Sequence, residues 1–208
     1  MSISRRGLCL VIAAPSGAGK TSITRALLEI EPELMFSISV TTRARRDGEI
    51  DGVHYHFRTQ AEFEAMRGSG ALLESAGVFG RWYGTPRAPV EAALAAGRDV
   101  AFDIDWQGFR QLRAALPGDV VGLFILPPSL ADLEARLRKR GDSAADIARR
   151  MAEAHTEMSH APEFDHVLVN EDFEQSVAAA GAVLNAARLA TSRQLGLAAF
   201  LAGSGAGA

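Results

Sequence analysis

The stretch that most constrains this chain is a junction. Leu8–Ala14 is an unbroken apolar run of strand length, and Ala14-Pro15-Ser16-Gly17-Ala18-Gly19-Lys20-Thr21 follows from its last residue. A continuous apolar run suits a strand buried on both faces, as in a parallel sheet covered by helices. The segment after it matches the phosphate-loop pattern G-x-x-x-x-G-K-[ST] except at its first position, where Ala14 replaces glycine. Glycines there let backbone N–H groups curl around an anion at a helix N-terminus, and Thr21–Ile30 reads as that helix, ending before Pro32. Ala14 through Thr21 are therefore candidate ligands for the phosphates of ATP, with Lys20 reaching the β- and γ-phosphates and the Thr21 hydroxyl helping to hold Mg²⁺. The Ala14 change removes backbone freedom but no ligand. A glycine-rich turn with an incidental lysine is the bland alternative, and the flanking strand and helix argue against it. Other motifs fail by spacing: Ser16 and Lys20 do not form S-x-x-K, no G-x-S-x-G surrounds Ser16, and Ser22 breaks the dinucleotide fingerprint.

Later apolar runs at Val100–Ile104, Val120–Leu126 and Val167–Val169 repeat the buried-strand pattern. Helical stretches separate or follow them at Trp106–Ala115, Leu130–Arg140, Ala145–Ser159 and Glu174–Leu195, with Ser129 and Asp132 forming an N-cap signature. Alternating strands and helices predict an α/β fold, a parallel sheet flanked by helices with right-handed crossovers. From Phe36 to Tyr83 the pattern changes to short strand-like pieces (Val53–Phe57, Ala71–Val78), turn glycines and one small helix with a Thr59–Glu62 capping box. The expected organisation is a core of 1–36, 86–128 and 160–200, an α+β insertion over 37–85, a helical lid over 129–159, and a flexible tail over 201–208.

Composition narrows the partners. The 208 residues are 48% apolar and 23% charged with a net charge of −3, which excludes global disorder and a whole-chain electrostatic grip on nucleic acid or membrane. Cys9 is the single cysteine, so an intrachain disulfide framework is excluded and a reducing, cytoplasmic setting is expected. No apolar run approaches the roughly 18 residues of a membrane span. Arg5 and Arg6 before the first apolar run superficially resemble a secretory signal, but cleavage there would cut into the phosphate loop.

The insertion carries the acceptor chemistry. Ser37-Ile38-Ser39-Val40-Thr41-Thr42-Arg43-Ala44-Arg45-Arg46-Asp47-Gly48-Glu49 is followed by Gly52-Val53-His54-Tyr55-His56-Phe57, then by Leu73-Glu74, Trp82-Tyr83-Gly84-Thr85, Asp103-Ile104-Asp105-Trp106-Gln107-Gly108, Arg136-Leu137, Arg140-Gly141 and Val169-Asn170. In this order the motifs closely resemble those of guanylate kinases, from the phosphate loop to about Asp172. The resemblance implies a P-loop kinase with an inserted GMP-binding region and a lid, transferring the γ-phosphoryl of MgATP to GMP. It assigns the GMP phosphate to Arg43, Arg46, Tyr55 and Tyr83, and guanine to Ser37, Glu74, Thr85 and Asp103, with Glu49 in the same GMP-binding set. The chemistry is consistent: guanidinium forks and phenols suit a phosphate dianion, hydroxyls can donate to guanine O6, and carboxylates can accept from N1 and N2. Lys20, Arg46, Arg140 and Arg150 become the catalytic cations, Arg136 and Asn170 ATP contacts, with Asn170 on the adenine side.

Asp103 and Asp105 close the Val100–Ile104 run, where parallel α/β sheets place ligands. One is expected to act through water on Mg²⁺ and the other on guanine or the loop scaffold. The working division gives Asp103 to GMP and Asp105 to the metal, and a helix N-cap role for Asp105 is compatible with either. Taken singly, each residue has a plainer reading, as a solvated arginine turn, a packed tyrosine or a surface carboxylate. His54 and His56 share one strand face without an evident third metal ligand. The competing functions are a kinase of a phosphorylated sugar, which has no base for these residues to read, and a catalytically dead interaction module, which could dispense with Lys20 and the lid arginines. ATP and GMP are the expected partners, with oligomeric state left open.

Overall fold

In the computed structural model, which describes residues 3–78 and 80–204, a short strand β1 (Ser4–Arg5) precedes a core sheet. That sheet is made of β2 (Cys9–Ala13), β3 (Leu34–Phe36), β8 (Asp99–Asp103), β9 (Val120–Leu126) and β10 (His166–Val169), all parallel, in the order β10-β9-β2-β8-β3. Cys9, Val11 and Ala13 of β2 enter one apolar layer while Leu10 and Ile12 enter the other, so the strand has no polar face and needs cover on both sides. Helices α3 (Arg87–Ala95) and α4 (Trp106–Ala115) cover the first side through Leu94, Phe109 and Leu112. On the second side, α1 (Lys20–Ile30) and α7 (Phe173–Arg188) bury Ile23, Leu27, Ala180 and Leu184. Complete burial of each such leucine or phenylalanine contributes about 1.5–3 kcal/mol.

Between β3 and α3 the chain builds a separate sheet from β4 (Val40–Thr41), β5 (His56–Phe57), β6 (Leu72–Val78) and β7 (Arg81–Pro86), ordered β5-β4-β7-β6. Helix α2 (Gln60–Gly68), started by the Thr59–Glu62 capping box, drives Phe63 against Val40, Leu72 and Trp82. Helices α5 (Leu130–Lys139) and α6 (Ala144–Ser159) form a hairpin, capped by Ser129 and Ser143, which accept from the N–H groups of Asp132 (3.0 Å) and Asp146 (3.1 Å). Its turn uses Gly141 at φ +88°, in the left-handed region that favours glycine.

The structure departs from the sequence expectations in several places. The helix expected over Glu174–Leu195 stops at Arg188; a 3₁₀ turn follows, and β11 (Gln194–Leu195) pairs antiparallel with β1. Ion pairs that link the two ends of the chain impose this. The fully buried Asp99 receives Arg5 at 2.6 Å and Arg188 at 2.8 Å, and buried Arg193 donates to the carbonyls of Gly7 and Gly118. The strand expected at Val53–Phe57 shrinks to His56–Phe57, because Gly52 at φ +76° opens a turn. Finally, α8 (Leu197–Ser204) extends into the stretch expected to be a flexible tail, and residues 205–208 lie outside the described residues. Among the described residues no helix is long and apolar enough to cross a membrane.

Candidate active site

Between β2 and α1 the loop turns on Gly17 (φ +97°) and Gly19 (φ +106°). A Cβ at Gly19 would lie 2.4 Å from the Asn170 amide nitrogen, so only glycine fits there. That amide donates to the Ala18 carbonyl at 2.8 Å, and its oxygen accepts from Ser176 at 3.0 Å. Arg136 donates to the same Ala18 carbonyl (3.3 Å) and to the carbonyl of Asn170 (2.9 Å). Asn170, expected at adenine, is buried behind the loop with both ends of its amide engaged, where it holds the loop's shape. Arg136 braces the loop in the same way and also lines the cleft.

The cleft in front of the loop measures about 440 Å³ and is walled by Ala14–Gly17, Gly19–Ser22, Asp103, Arg136, Arg140 and Glu157. Parallel pairing sets Ile12 of β2 opposite Asp103 of β8, which brings the Asp103 carboxylate to the start of α1. Lys20 Nζ lies 2.5 Å from Asp103 Oδ1, and Thr21 Oγ1 donates to Oδ2 at 3.3 Å. Asp105 is committed elsewhere. It caps α4, accepting from Gly108 N–H at 2.9 Å and from the Gln107 amide at 3.4 Å. Asp103 thus faces the loop's cation and hydroxyl and also reaches the second cleft, which Asp105 lines beside it.

That second cleft, about 330 Å³, is lined by Ser39, Tyr55, Glu74, Ala76, Val78, Tyr83 and the Asp103–Asp105 segment. Tyr55 and Tyr83 meet edge to face with centroids 6.1 Å apart. Glu74 is only 5% exposed and accepts from Thr85 Oγ1 at 2.7 Å. Burial pushes its carboxyl up to about 7; Asp105 acts in the same sense, and the Thr85 hydrogen bond opposes both. Thr85, expected at guanine, is fully buried with its hydroxyl turned to Glu74, so it orients that carboxylate. Ser37 is absent from this cleft. Its N–H continues the β3–β8 pairing by donating to Ala101 at 3.0 Å, and its side chain lines an apolar groove with Phe36, Ile38 and Pro86. Ser39, two residues on and directly before β4, lines the second cleft.

Arg43 is held by Glu49 through a fork of 2.6 and 3.0 Å, with its guanidinium 5.2 Å from the Tyr55 ring centre. The Arg43 side chain and the Arg46 N–H (2.8 Å) hold the Glu49 carboxyl down at about 2. Glu49, expected as a GMP contact, is thus an anion that aims Arg43 and would repel a phosphate itself. The Arg46 side chain is exposed at the mouth of this segment. On the lid, Arg140 and Arg150 converge on Asp142: Arg140 donates to it, and Arg150 Nε lies 3.3 Å away without a hydrogen bond. Arg150 also donates to Ser16 Oγ at 2.5 Å, joining α6 to the phosphate loop. Ser39, Asp142 and Glu157 escaped the sequence reading. Only Ser39 carried a usable signal, its place immediately before the strand that leads to Arg43. His54 turns Nδ1 toward the Ile50 N–H (3.0 Å), a local turn contact.

Comparison with known proteins agrees with this arrangement. A family profile described as guanylate kinase matches residues 6–187. The chain is 60% identical to the guanylate kinase of Granulibacter bethesdensis, with 97% of this chain and 94% of that protein aligned. It is 62% identical to that of Gluconobacter oxydans, over 94% of each. The crystal structure of guanylate kinase from Anaplasma phagocytophilum superposes with a TM-score of 0.78 at 34% identity, covering 96% of both chains. With a glycine-rich loop between strand and helix, a second cleft that presents carboxylates, and matches of this length and identity, the chain belongs to the guanylate kinase family.

Proposed function

We infer that the protein is an ATP:GMP phosphotransferase, moving the γ-phosphoryl group of ATP to the phosphate of GMP. The observation that carries this reading is the shared wall of the two clefts: Asp103 lines both, so a donor on the loop and an acceptor in the insertion would meet at one strand end. Lys20 would balance charge on the transferred group, and Arg43, with Arg46 nearby, would bind the acceptor phosphate. Glu74 and Asp105 supply acceptors for guanine N1–H and N2–H, and Ser39 a donor for O6. Adenine reverses this pattern at its six-position, leaving buried groups unpaired at about 1–3 kcal/mol each. Arg140 and Arg150 would close from the lid and exclude water. No general base is required, because the acceptor phosphate is already anionic.

The Asp103 carboxylate and Thr21 hydroxyl are hard oxygen donors beside the loop, and this donor chemistry fits Mg²⁺. When bound, that ion would neutralise charge across the β- and γ-phosphates. Work in the cytoplasm suits Cys9, a buried thiol that burial pushes up to about 12 and leaves inert. A coupled ADP-release assay against GMP, AMP, CMP, UMP and ribose bisphosphates tests the reading. Preference for GMP is the expected result; equal use of AMP, or transfer only to a sugar phosphate, would overturn it.

A further inference from the structure

Helix α4 meets the inserted sheet at two consecutive residues of β6. That strand is last in the order β5-β4-β7-β6, so among the described residues one of its edges has no strand beside it. Gln111 of α4 pairs with this edge instead. Its amide oxygen accepts from the Ser75 N–H at 3.0 Å, and its amide nitrogen donates to the Ser75 carbonyl at 3.1 Å. A primary amide carries both a donor and an acceptor, so it can exchange two hydrogen bonds with one residue as a neighbouring strand would. One turn earlier, Gly108 meets Glu74, the residue before Ser75: a Cβ at Gly108 would lie 3.3 Å from Glu74 Oε2. Residues three apart are neighbours on a helix surface, so the two contacts form one seam. Asp105 starts the same helix, accepting from the Gly108 N–H at 2.9 Å.

The carboxylates of Glu74 and Asp105 both line the second cleft, yet one stands on the inserted sheet and the other at the start of a core helix. When both are ionised they repel, and that force drives β6 away from α4. Because strand side chains alternate, a slip of β6 by one residue would also put a residue of the opposite face where Glu74 now sits. We propose that Gln111 is a positioning residue for base recognition: by pinning Ser75, it fixes the spacing at which Glu74 and Asp105 accept from one guanine ring. The proposal rests on the reading of the second cleft as a GMP site. Gln111 lines neither cleft and touches no substrate atom in this account; it acts through β6. Loss of the clamp therefore falls on the base contacts and leaves the phosphate loop as it is.

The test is Gln111→Leu, which keeps helix propensity but removes both hydrogen bonds. The probes are GMP and inosine monophosphate, which has the same phosphate, ribose, O6 and N1–H but lacks the 2-amino group. Only GMP can engage both carboxylates, so the wild type should favour it. In the variant the ratio of kcat/KM for GMP to that for inosine monophosphate should fall about tenfold, the scale of one or two net hydrogen bonds. KM for GMP should carry the loss, while kcat at saturating GMP and KM for ATP stay within about twofold of wild type. A residue that only stabilised the fold would lower both kcat/KM values alike, and an unchanged ratio overturns the proposal. In a Glu74→Gln background, Gln111→Leu should barely move the ratio, since the carboxylate it positions is already gone; an undiminished effect there also overturns it. Melting temperature checks the fold. Should the leucine variant fold poorly, Gln111→Glu keeps an oxygen for the Ser75 N–H, loses the donor to the carbonyl, and should shift the ratio in the same direction. A wild type that uses both nucleotides equally sinks the reading of the cleft and the proposal with it. A wild type that prefers GMP, with that preference intact in the variants, sinks only the role of Gln111.

Discussion

Glu74 offers the sharpest test, because its proposed role requires a charge that its surroundings resist. Guanine N1–H and N2–H need an acceptor, so GMP should bind the ionised carboxylate. In the free protein that carboxyl titrates near 7 because it is buried. From that value, the ionised fraction is about 0.9 at pH 8 and about 0.1 at pH 6, whereas an unperturbed glutamate would stay ionised throughout. The second ionisation of the GMP phosphate, near pH 6, contributes roughly another factor of two. With ATP saturating, kcat/KM for GMP should thus fall about twentyfold from pH 8 to pH 6, since this parameter reports groups of the free enzyme. Glu74→Gln should start about ten- to a hundredfold lower at pH 8 and lose only the twofold phosphate component. A wild-type-to-variant ratio that does not change between pH 6 and 8 would refute the reasoning.

Stability supplies an independent arm. A carboxyl raised from 4.5 in the unfolded chain to about 7 in the fold favours folding while it is protonated, and that contribution is lost as pH rises through 7. The shift corresponds to about 3 kcal/mol. Glu74→Gln keeps an acceptor for Thr85 but has no charge to bury. Relative to wild type, the variant should therefore gain melting temperature between pH 5 and pH 8, by about 6–12 °C for a chain of this size. A gain at pH 5 equal to that at pH 8 would assign the effect to packing.

Two further outcomes follow from the loop side of the site. Lys20→Ala should lower kcat by roughly 10²-fold or more with little change in melting temperature, since it removes a preorganised charge; near-normal turnover in a folded variant would take the loop out of the mechanism. Asp103→Asn and Asp105→Asn should separate: the first raises the Mg²⁺ concentration needed for half-maximal rate, while the second raises KM for GMP with little change in stability, because asparagine caps a helix about as well as aspartate. Identical profiles for the pair would remove the division of labour between them.

What the sequence made legible was local. The loop at Ala14–Thr21, the Thr59–Glu62 capping box and the first three apolar runs each depend on residues a few positions apart and formed as read, whereas Val167–Val169 became a strand, β10, that is largely exposed. What it hid was settled by contacts between distant segments. Ser37 and Ser39 have the same parity and chemistry, and they differ only because Ser37 still pairs with β8 while Ser39 begins the next sheet. Asp103 and Asp105 are separated in role by the register of β2 against β8, which no spacing within one segment records. The bond from the Asn170 amide to the Ala18 carbonyl joins residues 152 positions apart and leaves no local signal. Helix α3 was masked by Pro86 and Pro89, which break helices in the interior but are accepted at their start.

The site also solves a charge problem that its function would create. Two polyanions are to meet beside three carboxylates, Asp103, Asp105 and Glu74, and each carboxylate is restrained by a different device. Lys20 pairs with Asp103, the first turn of α4 takes Asp105, and burial with the Thr85 hydroxyl restrains Glu74. Gly108 matters here, because a Cβ at that position would lie 3.3 Å from Glu74 Oε2; glycine lets the carboxylate approach the α4 N-terminus, where the helix dipole favours negative charge. The arginines are restrained in the opposite sense, Arg43 by Glu49, and Arg140 and Arg150 by Asp142. Every cation in this group therefore has an internal anion to exchange for a substrate phosphate. If these arginines hold the substrate phosphates as proposed, binding would replace one charge pair with another instead of stripping water from a bare guanidinium, and the difference between those pairs, not their absolute strength, would set affinity. The arginines stay oriented while the clefts are empty, and the internal carboxylates, Glu49 and Asp142, become the groups whose removal should loosen the site without touching a substrate atom.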